Sequence, residues 1–418
     1  MFDSDRWQEI YSSLKKNKLR TGLTAFGVFW GIYMLIIMLG SGNGLENGIT
    51  KNFGGTVTNS VFIWTQGTSI AYAGLPKGRY FNMNNEDMDA VKREVRELEY
   101  LVPRNQLRGY RGGNNVSFKT KSGNFSVMGD YPNVQEIKPM DIVQGRFLNY
   151  FDIEDKRKVT VIGSNVRDVL FENANPINKN VKINGVYFKV IGVFNTKGSG
   201  RQAERETQTL FVPFTTFQKA FNYGNTVGWI AATALPSSNA SVVEEKIVDV
   251  LKKRHKVAPQ DDRAFGSFNA QEKYEQMNGL FGGISALIWV VGIGTLLAGI
   301  IGVSNIMLII VKERTKEIGI RRAIGATPVS IITQIMLESI TLTSLAGYFG
   351  LVLGVLTTEL ISNQLGEGSG DSMFLNPTID LKVALTALSI LVISGALAGL
   401  IPARKAVKIK PIDALRTE

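Results

Sequence analysis

The chain has no cysteine and a single histidine, His255. Zero cysteine excludes disulfides, thiol nucleophiles and cysteine-held metal sites. It also suits a bacterial extracytoplasmic domain. His255 closes a Lys-rich helical stretch and reads as solvated surface rather than as a ligand or catalytic base. The motifs that carry common chemistries are missing too. There is no G-x-x-x-x-G-K-[ST] phosphate loop, no H-E-x-x-H and no G-x-S-x-G. Gly40, Gly42 and Gly44 do not complete a dinucleotide fingerprint and read as loosening a chain exit. Asn115, Asn124 and Asn239 each open an Asn-X-Ser triplet, a pattern that arises easily by chance. The chain therefore reads as a non-catalytic protein with no metal and no cofactor of its own.

Charge is missing from long runs. Leu23 to Leu39 and Gly283 to Val311 contain no charged residue, and Pro328 to Leu360 contains only Glu338 and Glu359. A fourth apolar run covers Val383 to Ile401. About 20 apolar residues at ~1.5 Å per residue cross a ~30 Å hydrocarbon core, so four spans are expected. The 418 residues leave room for a further large domain, Gly42–Gly282. Lys and Arg total 47 and Asp and Glu 36, a net charge of +11. Such an excess can mark nucleic-acid binding. Here several of the bases flank apolar spans, as a membrane protein requires, and four charge-poor spans exclude a soluble nucleic-acid binder.

The bases set the orientation. They crowd the lead-in before Thr21, the segment Lys312–Thr327 (Lys312, Arg314, Lys316, Arg321, Arg322) and the tail (Arg404, Lys405, Lys408, Lys410, Arg416). The short loop around Ser362 to Leu381 has Glu367, Asp371 and Asp380 and no base. The positive-inside rule then puts both termini and the 312–327 loop in the cytoplasm. The acidic loop and the large region lie outside. In the lead-in, Trp7, Ile10, Tyr11 and Leu14 share one helical face, which predicts an amphipathic helix on the membrane surface. The roughly 20-residue lead-in, which carries acidic residues, and the long apolar run favour an uncleaved anchor over a signal peptide.

Small residues recur at spacing four: Gly27 and Gly31; Gly294, Ala298 and Gly302; Ala346, Gly350 and Gly354; Gly395 and Gly399. Such stripes let membrane helices approach closely, within a chain or across a homodimer seam.

The exported region alternates patterns. Val61–Trp64 reads as a strand. Met88, Val91, Val95 and Leu98 line a helix from about Asn85, and Val243, Ile247, Val250 and Leu251 line another from about Ser241. Between them lies a β-rich stretch. Val181–Ile183 and Val186–Val190 flank Asn184-Gly185, a strong hairpin signal. Lys119–Thr120 and Asn124–Val127 flank a turn at Lys121-Ser122-Gly123. Val159–Ile162 and Thr209–Val212 add strands. The pattern predicts an α+β lobe split in sequence by an inserted β-rich lobe.

Lys312–Thr327 combines more features than a solvated loop needs. Glu317 and Arg321 are spaced i,i+4 in the favourable order. Ile318, Ile320 and Ile324 give an apolar side. Gly319 and Gly325 permit bends. Thr327 caps and Pro328 opens the next helix. It reads as a docking helix at the inner membrane face. Glu338 lies three turns into the following span. A charge at that depth is costly and faces protein or water. Either it pairs with Arg321 or Arg322, or it is a protonated or snorkelling carboxylate.

Several of these stretches resemble the MacB/FtsX superfamily of ABC transporter permeases. ERTKEIGIRRAIGAT, from Glu313, is similar to the family's coupling segment. GIIGVSNIMLIIV, from Gly299, is similar to its second-span motif, and PARKAVKIKPIDALRTE, from Pro402, to its closing signature. LRTGLTAFGVFWG, from Leu19, GRFLNYFDIEDKRKVTVIGSNVRDVLF, from Gly145, and INGVYFKVIGVF, from Ile183, resemble the MacB-type periplasmic core and its anchor.

The resemblance implies four transmembrane helices per subunit and a large α+β extracytoplasmic domain, a βαβ-type lobe with an inserted β-rich lobe. It implies a homodimer in an inner membrane, with Gly27, Gly31, Gly294, Ala298 and Gly302 at the packing or dimer seam. A separate ATPase, carrying ATP and Mg, would dock on Glu313, Arg314, Thr315, Lys316, Glu317, Gly319, Arg321, Arg322 and Gly325. ATP-driven closure would tilt the helices and move the exported domain, a mechanotransmission. The expected partners include a periplasmic adaptor and an outer-membrane channel. The best-known MacB proteins carry the ATPase on the same polypeptide, whereas no nucleotide site is present here. Drug, toxin or peptide efflux leads; a lipoprotein-releasing permease or an FtsX-like relay to a cell-wall hydrolase are the alternatives. The expected segments are an amphipathic helix (1–20), the first span and stalk (21–50) and the periplasmic core (51–275, inserted lobe about 106–208). A second stalk and span (276–311), the coupling segment (312–327), the third span (328–361), an outer loop (362–381), the fourth span (382–402) and a tail (403–418) complete the chain.

Because the chain has no native cysteine, single cysteines report its topology directly. Lys316→Cys is expected to resist a membrane-impermeant maleimide in cells with a permeabilised outer membrane, and Asp371→Cys to react. Reaction of Lys316→Cys from outside would overturn the orientation.

Overall fold

The computed structural model describes residues 18–52, 57–108, 114–172, 174–196, 200–366, 377 and 381–408. The expected lead-in helix before Lys18, most of the acidic outer loop and tail residues 409–418 lie outside them. The chain divides into two compact units, residues 50–279 and a membrane unit made of residues 1–49 and 280–418.

The exported unit holds thirteen strands among the described residues. They are β1 (Ser60–Thr65), β2 (Met83–Asn84), β3 (Leu98–Gln106), β4 (Asn114–Phe118), β5 (Lys121–Asp130), β6 (Met140–Gly145) and β7 (Val159–Gly163). β8 (Asn180–Ile183), β9 (Val186–Thr196), β10 (Thr209–Pro213), β11 (Thr226–Val227), β12 (Trp229–Ala234) and β13 (Phe265–Asn269) follow. One lobe is the antiparallel sheet β13-β1-β12-β3. Helix Asn85–Glu94 connects β1 towards β3, and helix Ala240–Arg254 connects β12 to β13. These are two split β-α-β units, so the parallel partners are separated by a strand of the other unit.

The period-2 alternation of β1 explains the layering. Val61 and Ile63 are fully buried against Met88, Val91, Ile247 and Leu251 of the two helices. Phe62 and Trp64 emerge on the opposite face. Asn84 caps the first helix through a capping box with Asp87. The same Asp87 accepts from Arg254 at 2.6 Å and pairs with His255 at 2.8 Å. Burial pushes the Asp87 carboxyl up, but these hydrogen bonds outweigh it and hold it below its usual range. His255 is therefore not the solvated residue expected. Its ring stacks on Phe81 with centroids 4.8 Å apart, because a buried carboxylate at the helix end draws the imidazole inward.

The inserted lobe is a closed barrel. β5 pairs with β10, β10 with β7, β7 with β9, β9 with β8, β8 with β4, and β4 with β5. Closure leaves none of the six strands a free edge. Val127, Phe188, Val190, Leu210 and Val212 share its core with Leu170 and Phe217 from helices Ser164–Phe171 and Phe214–Ala220. The barrel is completed by β10, so it extends through Pro213. Asn184 (φ 41) and Gly185 (φ 96) form the expected tight hairpin turn between β8 and β9.

Two local expectations change. Leu98 begins β3 rather than extending the helix, which ends at Glu94. Val95 is already extended there, at φ −102 and ψ 99. The β4–β5 turn falls on Lys119-Thr120, with Lys119 at φ 52, and Lys121, Ser122 and Gly123 pair with Phe118, Ser117 and Val116. The Ser-Gly pair drew the turn too far along, whereas the buried Val116, Phe125 and Val127 fix the register.

The membrane unit has four helices long and apolar enough to cross a membrane, in Lys18–Asn52, Ala270–Glu313, Pro328–Gly366 and Leu381–Val407. Hydroxyls inside the third close on their own helix: Thr343 Oγ1 donates to the Ser339 carbonyl at 2.9 Å and Thr358 Oγ1 to that of Gly354 at 3.0 Å. Lipid supplies no alternative partner.

Gly145 combines a close backbone contact with a left-handed conformation. It ends β6 at φ +72, and a Cβ there would lie 2.1 Å from the Ile191 carbonyl oxygen. Gly145→Ala is expected to cost roughly 2–4 kcal/mol from strain and overlap combined. The readout is faster amide exchange in β6 and β9; unchanged exchange would refute it.

Candidate functional site: the charged helix between the second and third spans

The second helix ends at Glu313, and a separate helix, Thr315–Ala323, follows. Arg314 breaks the run, at φ −96 and ψ 15. Thr315 Oγ1 donates to the Lys312 carbonyl at 2.7 Å and so satisfies one of the acceptors left open at a helix end. The short helix ends at Ala323, with Ile324 as its C-cap. Gly325, at φ +106, then turns the chain left-handed, a conformation costly for any residue with a Cβ. Thr327 Oγ1 accepts from the Ser330 amide at 3.3 Å, and Pro328 opens the third span.

The helix has an anchored side and an open side. On the anchored side Ile318 and Gly319 are buried. Arg321 donates to Glu317 Oε1 at 2.9 Å and to Gln334 Oε1 of the third span at 3.1 Å. Arg322 donates to the Val407 carbonyl, near the end of the fourth helix, at 2.6 Å. Arg314 lies 3.9 Å from Glu317 and 3.8 Å from Glu338. Glu338 is 3% exposed. Arg314, Glu317, Arg321, Gln334 and Glu338 line one small cavity with Met307 and Ile310 of the second span. Arg314, which the sequence places simply on the docking face, thus also supplies a cation for the buried carboxylate. Only knowledge of where the helix breaks could have shown this.

The open side carries Lys312, Glu313 and Lys316, all exposed. Ile320 is 41% exposed and Ile324 82% exposed. The apolar side expected from Ile318, Ile320 and Ile324 is therefore split, with one residue inward and two outward.

The small-residue stripes also divide. On Gly31 a Cβ would sit 3.7 Å from Thr295 and Leu296. On Gly350 it would lie 2.6 Å from the Phe29 carbonyl oxygen, and on Gly354 2.7 Å from Ile36. Gly395 meets Thr343 and Gly399 meets Ser339 in the same way. These glycines pack the first span on the second and third, and the third on the fourth. At Gly27, Gly294 and Gly302 a Cβ would meet nothing within 4 Å, and Ala298 is exposed. Gly292 and Gly299 make the second span's contact with Leu35 and Val28 instead.

Residues 21–250 match the family model of the MacB-like periplasmic core domain, and residues 289–411 that of the FtsX-like permease C-terminal domain. Over 98% of its length the chain is 30% identical to the macrolide export ATP-binding/permease protein MacB of Bdellovibrio bacteriovorus, covering 61% of that protein. The corresponding protein of Chlorobaculum tepidum is 28% identical over 98% of the chain, with 61% of it covered. The chain thus spans less than two thirds of these curated relatives. The crystal structure of the periplasmic region of MacB from Actinobacillus actinomycetemcomitans aligns with 54% of this chain and 96% of that one, at 19% identity and a TM-score of 0.43.

Proposed function

Since the chain belongs to the MacB-like ABC transporter permeases, with a MacB-like periplasmic core and an FtsX-like permease domain, we propose that it is the membrane subunit of a split exporter. A separate ATPase drives it from the cytoplasmic side of a bacterial inner membrane. ATP and Mg are held by that partner. The observation that carries this reading is the two-sided helix Thr315–Ala323. Its inner side is tied to the third and fourth spans through Arg321 and Arg322, and just past its end Ile324 stands in solvent. Ile320, one helical turn from the exposed Lys316, is also open, and an exposed isoleucine next to a charge suits a protein partner. Movement of the partner then reaches the spans through a rigid charged clamp rather than through a flexible loop. The exported domain is the moving head, and the cargo is a drug, toxin or peptide passed on with a periplasmic adaptor and an outer-membrane channel. A homodimer seam is supported by Gly294, Ala298 and Gly302, a small-residue stripe that no part of the described chain fills.

Two measurements test the clamp. Arg314→Glu combined with Glu317→Arg puts a carboxylate beside Glu338 in place of its cation. Membrane insertion is expected to persist while stimulation of the partner's ATPase falls by about tenfold, the effect of ~1.4 kcal/mol of lost coupling. Wild-type turnover in this double variant would remove the docking role. Glu338→Gln keeps the shape but not the charge; it should preserve assembly and lower stimulation roughly threefold. Unchanged stimulation would make Glu338 structural only.

A further inference from the structure

A crevice of about 990 Å³ opens between the sheet and the barrel, wholly inside the exported unit. Its floor is the sheet face that the two helices do not cover. Cross-strand register sets Gly266, Trp64, Trp229 and Arg104 in one row. Gly266 makes room for the neighbouring indole: a Cβ there would lie 2.4 Å from Trp64 Nε1. Phe62 stands in the next row. The facing wall comes from the barrel, with Phe194 and Phe211 at a ring separation of 5.2 Å.

The charged groups around this space are matched in pairs. Arg104 makes a two-pronged contact with the fully buried Asp130, at 2.6 and 2.9 Å, and its guanidinium lies 5.6 Å from the Trp229 ring centre. Lys138 pairs with Glu206 at 2.7 Å, and Glu206 also accepts from Thr196 Oγ1 at 2.6 Å. Neutral donors and acceptors, among them Gln106, Ser126 and Thr209, complete the lining. A charged occupant would have to break a pair or lie desolvated without a partner, and both are costly. Aromatic walls instead favour a flat apolar body.

The volume is that of a small-molecule site, at the upper end of the usual ~300–1,000 Å³. An extended peptide is disfavoured by the strands themselves. Among the lining strands β1, β3, β5, β9, β10 and β12 have strand partners on both sides and offer no edge for an added strand; only β6 and the two-residue β11, which contribute Met140 and Thr226, have a single partner among the described residues. We propose that this crevice binds an uncharged, ring-bearing small molecule, seated on Trp64 and Trp229 and covered by Phe194 and Phe211. The site stands on the exported unit alone. It goes beyond ATPase coupling and does not depend on it.

The test uses the full chain in lipid nanodiscs and a neutral benzophenone bearing a short oligoethylene glycol tail. After photolysis, mass spectrometry maps the insertions. Insertion is expected in β1, β5, β10 and β12 in addition to lipid-facing residues of the spans. Thr209→Trp, which fills the crevice from a half-exposed position, should cut the crevice labelling about tenfold, equivalent to ~1.4 kcal/mol. Labelling of the spans should not change and serves as the internal control. Quaternary ammonium and carboxylate versions of the probe should label the crevice about tenfold less than the neutral one. Insertion confined to the spans in the wild type would overturn the proposal even if a variant failed to fold. So would crevice labelling that Thr209→Trp leaves intact, or equal labelling by the charged probes. Stimulation of the partner's ATPase is read separately, so failure of this site and failure of the coupling reading are distinguishable.

Discussion

The membrane unit depends on a carboxylate that has nowhere else to go. Glu338 is buried among apolar side chains near the start of the third span. An ionised side chain at depth costs at least ~2.5 kcal/mol on insertion scales, and more without a partner. The cost is offset by bringing in a cation, and Arg314 supplies one from the break between the second helix and the charged helix. That single pairing fixes where the break can lie. Once Arg314 is held there, the following turn presents Ile318 inward and Arg321 towards Gln334. The next residue, Arg322, reaches the end of the fourth helix. The charged helix is thus clamped to the third and fourth spans, and among the described residues Lys316 and Ile320 are left exposed. Surface ion pairs contribute little, but this one is shielded on the span side, so its geometry persists.

The exported unit answers a different constraint, the burial of two sheet faces with few helices. Two helices cover one face of β13-β1-β12-β3. The other face would expose Phe62, Trp64 and Trp229 if the insertion did not fold back over it. The insertion buries its own apolar residues by closing into a barrel, so it needs no helical layer on both sides. β3 continues into the insertion by pairing with β5, Asn105 to Gly129 and Gln106 to Met128. That shared backbone ladder holds the aromatic floor and the barrel wall a fixed distance apart. The crevice is a consequence: the two lobes share a core where Val102 and Ala231 of the sheet pack with Phe194 and Phe211 of the barrel, and leave a lined gap beside it.

Much of this was legible in the residues. Four charge-poor runs, the Asn-Gly hairpin and the alternation of Val61, Phe62, Ile63 and Trp64 each carry a local signal whose period or turn chemistry has one reading. Glu317 and Arg321 were legible for the same reason, being one helical turn apart. The illegible parts are those set by distant partners. Nothing near Leu98 says that β12 will take it into a strand, and nothing near His255 says that Asp87 waits beneath it. Pairing of the helix break with Glu338 was half visible. The buried acid announced a need for a base, yet that Arg314 comes to it depends on where the helix stops. Ring closure of the barrel was invisible, since it requires β10 to lie parallel to β5, far away in sequence.

The glycines of the membrane unit sharpen a further distinction. In lipid, apolar surface gains nothing from burial against another apolar helix, so close backbone approach decides which faces meet. Spacing of four marks a face but not its partner. On the third span the marked face is consumed within the chain, because Phe29 and Ile36 of the first span press directly on Gly350 and Gly354. On the second span the marked face is not. Gly292 and Gly299, seven positions apart and outside the stripe, receive Leu35 and Val28, and Gly294 and Gly302 look away. A helix that packs through one set of small residues and keeps another set unfilled has two faces shaped for close approach. The first is spent on its own chain. The second has the same shape and lacks a neighbour among the described residues, which is the arrangement expected of a helix that completes its packing against another helix.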